Sequence, residues 1–138
     1  MRRRRFLRDA SSAAALALAG AVPRRAAAQR ARALKIGYVT PQTGPLAGFG
    51  ETDAFVLAGI RKAVPSLSVK GQSVPLEIVV RDSQSDPNRA AEVASRLILS
   101  DKVNLMLAAG TPETTNPVSD QCEVNGTPCV TSVCPWQP

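Results

Sequence analysis

The sequence predicts an α/β fold, a doubly wound parallel sheet with helices on its two faces. Short apolar segments alternate with amphipathic helical segments, and a loop rich in glycine and proline follows the first apolar segment. The apolar segments are almost continuously hydrophobic, which is typical of parallel strands covered on both faces. The resulting order βαβαβαβ implies right-handed crossovers between neighbouring strands.

Four strands and three helices are predicted to alternate along the chain. The strands are expected at residues 35–40, 76–82, 103–109 and 128–133. The first helix is expected at residues 51–64. The second is expected to begin after Asp86, a good N-cap residue, with Pro87 at the first helical position.

The third helix is expected to begin with Pro117 in its first turn, capped by Asn116 or Thr115. Gly126 is expected to end it, because glycine takes the left-handed torsion of a C′ residue without strain. No internal repeat and no low-complexity segment is found after the leader.

The first 28 residues have the pattern of a secretion signal, with a basic start, an alanine- and leucine-rich core and small residues before a cleavage site near Ala28. Residues 3–8, Arg-Arg-Arg-Phe-Leu-Arg, resemble the twin-arginine motif. An ordinary Sec signal with extra arginines is the alternative. The apolar core is shorter than the roughly 20 residues of a membrane span. We therefore expect export to the periplasm by the twin-arginine translocase, leaving residues 29–138.

The basic character of the chain is confined to this leader. The formal net charge of +6 and the pI near 9.9 would otherwise suggest nucleic acid or a membrane surface as a partner. From Gln29 onward, however, ten basic residues are balanced by ten acidic ones. Nucleic acid has no electrostatic attraction to such a chain and is not expected as a partner.

Three cysteines, Cys122, Cys129 and Cys134, lie within thirteen residues. Their spacing matches no zinc pattern and the chain has no histidine, so a metal site is not expected. In an oxidising compartment, the preferred pairing is a Cys122–Cys129 disulfide between a helix and the next strand. Cys134 is then left over, either as a small buried residue or as a reactive thiol.

Four loops are expected to converge at the carboxyl edge of the sheet, because strand-to-helix loops of a parallel sheet open on one side. They span residues 40–50, 82–86, 110–116 and 132–137. Hydroxyls, amides and helix N-termini there suit an anion such as a carboxylate. The candidate hydrogen-bonding residues are Thr111, Thr114, Thr115 and Ser132, and the candidate apolar walls are Phe49 and Trp136.

Each candidate also has a purely structural interpretation. Phe49 could be a hydrophobic staple for the helix that follows it. Thr114 and Thr115 could be helix caps, and Trp136 could pack between two lobes. Asp82, at the end of the second strand, could cap a turn.

The loops at residues 40–50, 110–117 and 132–137 read TPQTGPLAGFG, GTPETTNP and SVCPWQ. Together they resemble the periplasmic solute-binding proteins of the leucine/isoleucine/valine type, over about residues 34–138. The resemblance implies an incomplete N-terminal lobe of a two-lobed receptor, with no catalytic activity and no cofactor. It also implies a small-molecule solute, an amino acid or a small organic acid or amide, and an ABC permease complex as partners.

The resemblance also implies roles for the loops. Phe49 matches an aromatic residue in the family's first loop, and the third loop matches the hydroxyl run that holds the ligand carboxylate. The loop after the fourth strand matches one that contacts the ligand head group. Pro112 and Glu113 replace part of the serine run, and Pro135-Trp136 replaces smaller residues. These departures suggest a related small carboxylate or amide solute rather than a plain branched-chain amino acid.

Two other functions remain open at this stage. An exported flavodoxin-like cofactor-binding domain has the same topology, but Pro45 removes an N–H donor from the loop that would bind phosphate. A periplasmic sensory ligand-binding module would share the fold. An enzyme is not expected, because the chain has no histidine for a nucleophilic triad or pair and no paired acids in a catalytic motif.

Overall fold

Five strands form one sheet in the order β2-β3-β1-β4-β5 in the computed structural model, which describes residues 33–132. The predicted signal peptide, Cys134 and Trp136 lie outside the described residues. Strand β1 pairs in parallel with β3 and β4, and β4 pairs in parallel with β5. The strands are β1 Leu34–Thr40, β2 Ser66–Val69, β3 Gln72–Asp82, β4 Leu105–Ala108 and β5 Cys129–Thr131.

The antiparallel edge strand β2 is a correction to the predicted element order. It forms a hairpin with β3, which begins four residues before the predicted start. The turn residues Lys70 and Gly71 both have positive φ, 51° and 79°, as a two-residue hairpin turn requires. All four residues of β2 are exposed, and its alternating pattern Ser-Leu-Ser-Val is too short to be a strong strand signal in the sequence.

Residues 33–132 contain three α-helices and one short 3₁₀ helix. They are α1 Asp53–Ala63, α2 Pro87–Leu99, α3 Pro112–Val124 and the 3₁₀ helix Ala47–Phe49. Helix α2 begins as predicted, with the Asp86 carboxylate accepting a hydrogen bond from the Arg89 N–H at 2.7 Å. Within residues 33–132, no helix is long and apolar enough to cross a bilayer.

Helix α3 begins five residues before the predicted start. Thr111 is its N-cap residue, in extended conformation, and Pro112 occupies the first turn. The carbonyl of Thr111 accepts the N–H groups of Thr114 and Thr115, each at 2.9 Å. Pro117, the predicted start, therefore lies inside the helix. Either proline would fit the first turn of a helix, and α3 begins at the earlier one, Pro112. Pro117 is then an internal proline, which typically lowers helix stability by about 3 kcal/mol.

The hydrophobic core lies between one face of the sheet and helices α2 and α3. Its fully buried large side chains are Val39, Val93, Leu97, Met106 and Val118. Gly37 allows this close packing, because a Cβ there would lie 2.5 Å from the sulfur of Met106. Helix α1 lies on the other face and buries only Leu57, while its Phe55 is 86% exposed. The core thus fixes β1, β4, α2 and α3, the elements that carry the first and third loops.

Candidate functional site

The carboxylate of Asp82 ties the β1–α1 loop to the β3–α2 loop. Its Oδ1 accepts the backbone N–H groups of Gln42 and Gln84, both at 2.8 Å, and of Thr43 at 3.3 Å. Its Oδ2 accepts the hydroxyl of Thr43 at 2.6 Å. Burial would raise the pKa of Asp82, but these hydrogen bonds, led by the Thr43 hydroxyl, together lower it. Asp82 is therefore ionised at neutral pH, and it caps its own turn while also holding the first loop.

Ser85 makes a second connection between the same two loops. Its hydroxyl donates to the carbonyl of Thr43 at 2.7 Å and accepts the N–H of Leu46 at 3.0 Å. Gly44, with φ of 89°, lies against this serine, and a Cβ there would be 2.7 Å from Ser85 Oγ and from the Gln84 carbonyl oxygen. The contact leaves room only for glycine.

Phe49 projects from the 3₁₀ helix Ala47–Phe49 and is 60% exposed. It lies beside the third loop, because a Cβ on Gly110 would be 3.9 Å from the Phe49 Cβ. The N-cap residue of α1 is Thr52, so Glu51 and not Phe49 has the position of a hydrophobic staple. This exposed aromatic ring is therefore available at the carboxyl edge of the sheet.

The side chains of Thr114 and Thr115 are directed into the protein. Both are buried, at 1% and 0% exposure. The Thr114 hydroxyl lies 3.3 Å from that of Ser83, which joins the second loop to the third. The Thr115 hydroxyl donates to the carbonyl of Thr111 at 3.1 Å. In this structure both hydroxyls are engaged in contacts within the chain, which favours their structural interpretation.

Thr111 differs from these two threonines, because its buried Oγ1 has no hydrogen-bond partner among the described residues. It makes no cap bond to α3, although it is the N-cap residue. The hydroxyl lies near Glu113 and, with that residue's own N–H, lowers the pKa of the exposed carboxyl, but the approach lacks hydrogen-bond geometry. An unpaired buried hydroxyl is costly unless something else satisfies it.

On the α1 side of the sheet, Ser132 is exposed and lines a groove of about 230 Å³ together with apolar side chains of the sheet and of α1. Asp53 also lines this groove, and its carboxylate accepts the Thr40 hydroxyl at 2.5 Å. Burial, and then the negative charge of Asp53, raise the pKa of Tyr38 to about 12. Ser132 therefore lies in this groove, and Trp136 lies outside the described residues.

The thiols of Cys122 and Cys129 are neighbours and both are free in this structure. Hydrogen bonding between them lowers the pKa of Cys129 to about 7 and raises that of Cys122. Ser119 Oγ lies 4.0 Å from the Cys129 sulfur. The predicted disulfide remains a prediction, and the proximity of the two thiols is compatible with it.

The sequence predicts Asp82 only as a turn cap in the second loop and does not indicate that Asp82 and Ser85 bind the first loop. Their partners lie about 40 positions away in sequence, and most of their bonds are to backbone groups. The one available signal is an acidic residue at the end of the largely apolar run of β3. No cluster of His, Cys, Asp or Glu suited to a metal ion is found in the part of the chain that the structure describes.

Residues 33–137 match the family model described as periplasmic binding protein. The chain belongs to this family. Its members are solute-binding proteins, not enzymes, which removes the support for a flavodoxin-like cofactor domain. No match is found among the curated proteins.

Solved structures of the same fold give three informative neighbours. LivJ of Streptococcus pneumoniae, in complex with isoleucine, has 23% identity and a TM-score of 0.60, covering 72% of this chain and 28% of its own. The leucine-binding protein LivK of Thermotoga maritima has 24% identity and a TM-score of 0.64, covering 71% of this chain and 27% of its own. An ABC-transporter solute-binding protein of Rhodopseudomonas palustris, in complex with 3,4-dihydroxybenzoic acid, has 23% identity and a TM-score of 0.62. The match covers 72% of this chain and 26% of that protein.

These likenesses confirm the predicted α/β fold as that of a partial lobe of a type I periplasmic binding protein. The chain spans between 26% and 28% of the length of these three proteins. The molecules bound in LivJ and in the Rhodopseudomonas palustris protein, an amino acid and an aromatic acid, both carry a carboxylate.

Proposed function

We propose that the full-length protein is the extracytoplasmic substrate-binding component of an ABC importer. Its solute would be a branched-chain amino acid or a related small carboxylate or amide, bound at the carboxyl edge of the sheet. Thr111 would donate a hydrogen bond to the solute and Phe49 would contact its apolar part. Ser132 and Trp136 remain proposed contacts from the last loop.

The unpaired hydroxyl of Thr111 is the observation that supports this proposal most directly. It is buried at the N-terminus of α3, where the helix dipole favours a negative group, and it has no partner within residues 33–132. An acceptor from outside, such as a ligand carboxylate, would satisfy it. The exposed ring of Phe49, beside Gly110, supplies the adjacent apolar surface.

A Thr111→Val substitution tests this assignment in the full-length protein. Valine keeps the side-chain shape, and no cap bond is lost because the hydroxyl makes none. Calorimetric titration with L-isoleucine, L-leucine and 3,4-dihydroxybenzoate should show an affinity loss of about ten- to a hundredfold, as expected for one hydrogen bond to a charged group. The free energy of unfolding should be unchanged or slightly higher.

Thr127→Val is the matched control. Thr127 lies between α3 and β5 and lines a groove with Lys35, Val103 and Asn104, at the other edge of the sheet. Its substitution should leave affinity unchanged. Equal effects of the two substitutions would place the solute elsewhere, and no binding of the three solutes or of a wider panel of small carboxylates and amides would contradict the proposed function.

We also propose that residues 1–28 direct export by the twin-arginine route, with cleavage near Ala28. An Arg3→Lys, Arg4→Lys double variant should then lose its periplasmic fraction in cell fractionation. Undiminished periplasmic yield would indicate the Sec route instead. Uptake of the radiolabelled solute, lost on deletion of the gene, would distinguish an importer component from a sensory module of the same fold.

A further inference from the structure

The loop that carries Phe49 is held by two side chains that belong to another loop. Asp82 binds its beginning, at Gln42 and Thr43, and Ser85 binds further along, at Leu46. We propose that Asp82 and Ser85 are positioning residues, which hold the β1–α1 loop in the shape that presents Phe49 to the solute. The role assigned to Phe49 rests on the proposed function, whereas the holding of the loop does not.

The chain path explains how these two residues act on Phe49. Between Gly44 and Phe49 the backbone makes consecutive turns, in which Gly44 O accepts the Ala47 N–H at 3.1 Å and Leu46 O accepts the Phe49 N–H at 3.0 Å. The position of Leu46, fixed by Ser85, therefore sets the position of the turn that ends at Phe49. Asp82 and Ser85 can therefore determine the position of Phe49 without contacting it directly.

The β3–α2 loop has an unfavourable backbone conformation where it contacts the β1–α1 loop. Gln84 and Ser85 are consecutive non-glycine residues in the left-handed region, with φ of 55° and 59°. Such residues rarely adopt this conformation and do so when surrounding contacts compensate. Here the compensation is the packing of Ser85 and the Gln84 carbonyl against Gly44.

A simple turn cap would not need this arrangement. The hydrogen bond from Gln84 N–H to Asp82 is enough to close the local turn. The bonds to Gln42 and Thr43 are additional and connect segments 39 or more residues apart. Asp86, in the same loop, is the natural comparison, because its carboxylate caps α2 through Arg89.

Hydrogen exchange of the full-length protein tests the holding of the loop without any ligand. In Asp82→Ala we expect exchange of the amides in residues 42–50 to accelerate about tenfold or more, because local opening becomes easier. Asp82→Asn keeps an acceptor oxygen for the N–H groups and should restore most of the protection. Asp86→Ala is the control, and it should accelerate exchange at the start of α2 while leaving residues 42–50 unchanged.

Binding of L-isoleucine and 3,4-dihydroxybenzoate tests the second half of the proposal. Asp82→Ala and Ser85→Ala should each weaken whichever probe binds, and neither should weaken it further in a Phe49→Ala background, because all act through one ring. Unchanged exchange in residues 42–50 of Asp82→Ala would overturn the holding of the loop. Additive effects with Phe49→Ala would overturn its action through Phe49. If neither probe binds the wild type, the proposed function fails for these solutes, and the exchange comparison still decides the holding of the loop.

Discussion

Glu113 is an exposed acid in the first turn of α3, two residues after Thr111. The nearby Thr111 hydroxyl and the backbone N–H of Glu113 itself lower the pKa of its carboxyl, which is therefore negatively charged at neutral pH. A ligand carboxylate at the same helix end would be repelled by this charge. Glu113 is thus the residue that most directly limits binding of a carboxylate solute.

Replacing Glu113 by Gln should therefore raise the affinity for 3,4-dihydroxybenzoate and lower its dependence on salt. The expected gain is modest, about two- to fivefold, because charges exposed to water interact weakly. Titration at two ionic strengths measures both effects. The matched control is Glu123→Gln at the far end of the same helix, which should change neither quantity. A decrease in affinity would mean that Glu113 itself accepts a hydrogen bond from a hydroxyl of the solute.

The cysteine pair makes a second prediction at the residue scale. Because Cys122 and Cys129 are neighbours at the end of α3 and the start of β5, an oxidising compartment should join them. Closing so short a loop stabilises by roughly 2–3 kcal/mol. Mass spectrometry of a non-reduced digest of exported protein should show this peptide pair. A dominant pair containing Cys134 would contradict the assignment.

At the scale of elements, the sequence predicts best where local signals agree. Helix α2 begins at Pro87 because Asp86 and Pro87 specify the same start, and the apolar periodicity that follows matches its buried face. The start of α3 was not predictable, because Pro112 and Pro117 both satisfy first-turn rules and only packing decides between them. Strand β2 was not predicted because its alternating pattern, Ser-Leu-Ser-Val, is only four residues long and is therefore a weak strand signal.

Two leucines of α2 test whether the core lies where these elements place it. Leu97 is fully buried, while Leu99, two residues on, is 52% exposed. Leu97→Ala should cost about 2–5 kcal/mol of unfolding free energy, through lost burial and the cavity left behind. Leu99→Ala should cost about 0.5 kcal/mol or less. Urea unfolding of the two variants measures both changes in the free energy of unfolding. Equal changes would contradict the observed orientation of α2, in which Leu97 faces the core and Leu99 faces solvent.

At the scale of the whole molecule, the sheet brings its first three loops together by direct contacts. Asp82 and Ser85 join the first two loops, and Ser83 and Thr114 join the second to the third. Topology alone predicts this convergence, since all these loops follow parallel strands. It does not predict which hydroxyl stays unpaired. Thr111, Thr114 and Thr115 look alike in sequence, and only side-chain packing separates Thr111 from the other two.

The central claim is that a small solute binds at this edge, on Thr111 and beside Phe49. A crystal structure of the full-length protein with its tightest-binding solute tests it most directly. We expect an acceptor atom of the solute within hydrogen-bond distance of Thr111 Oγ1 and an apolar part of the solute against the Phe49 ring. A solute bound at the opposite edge of the sheet, with the Thr111 hydroxyl still unpaired, would contradict it.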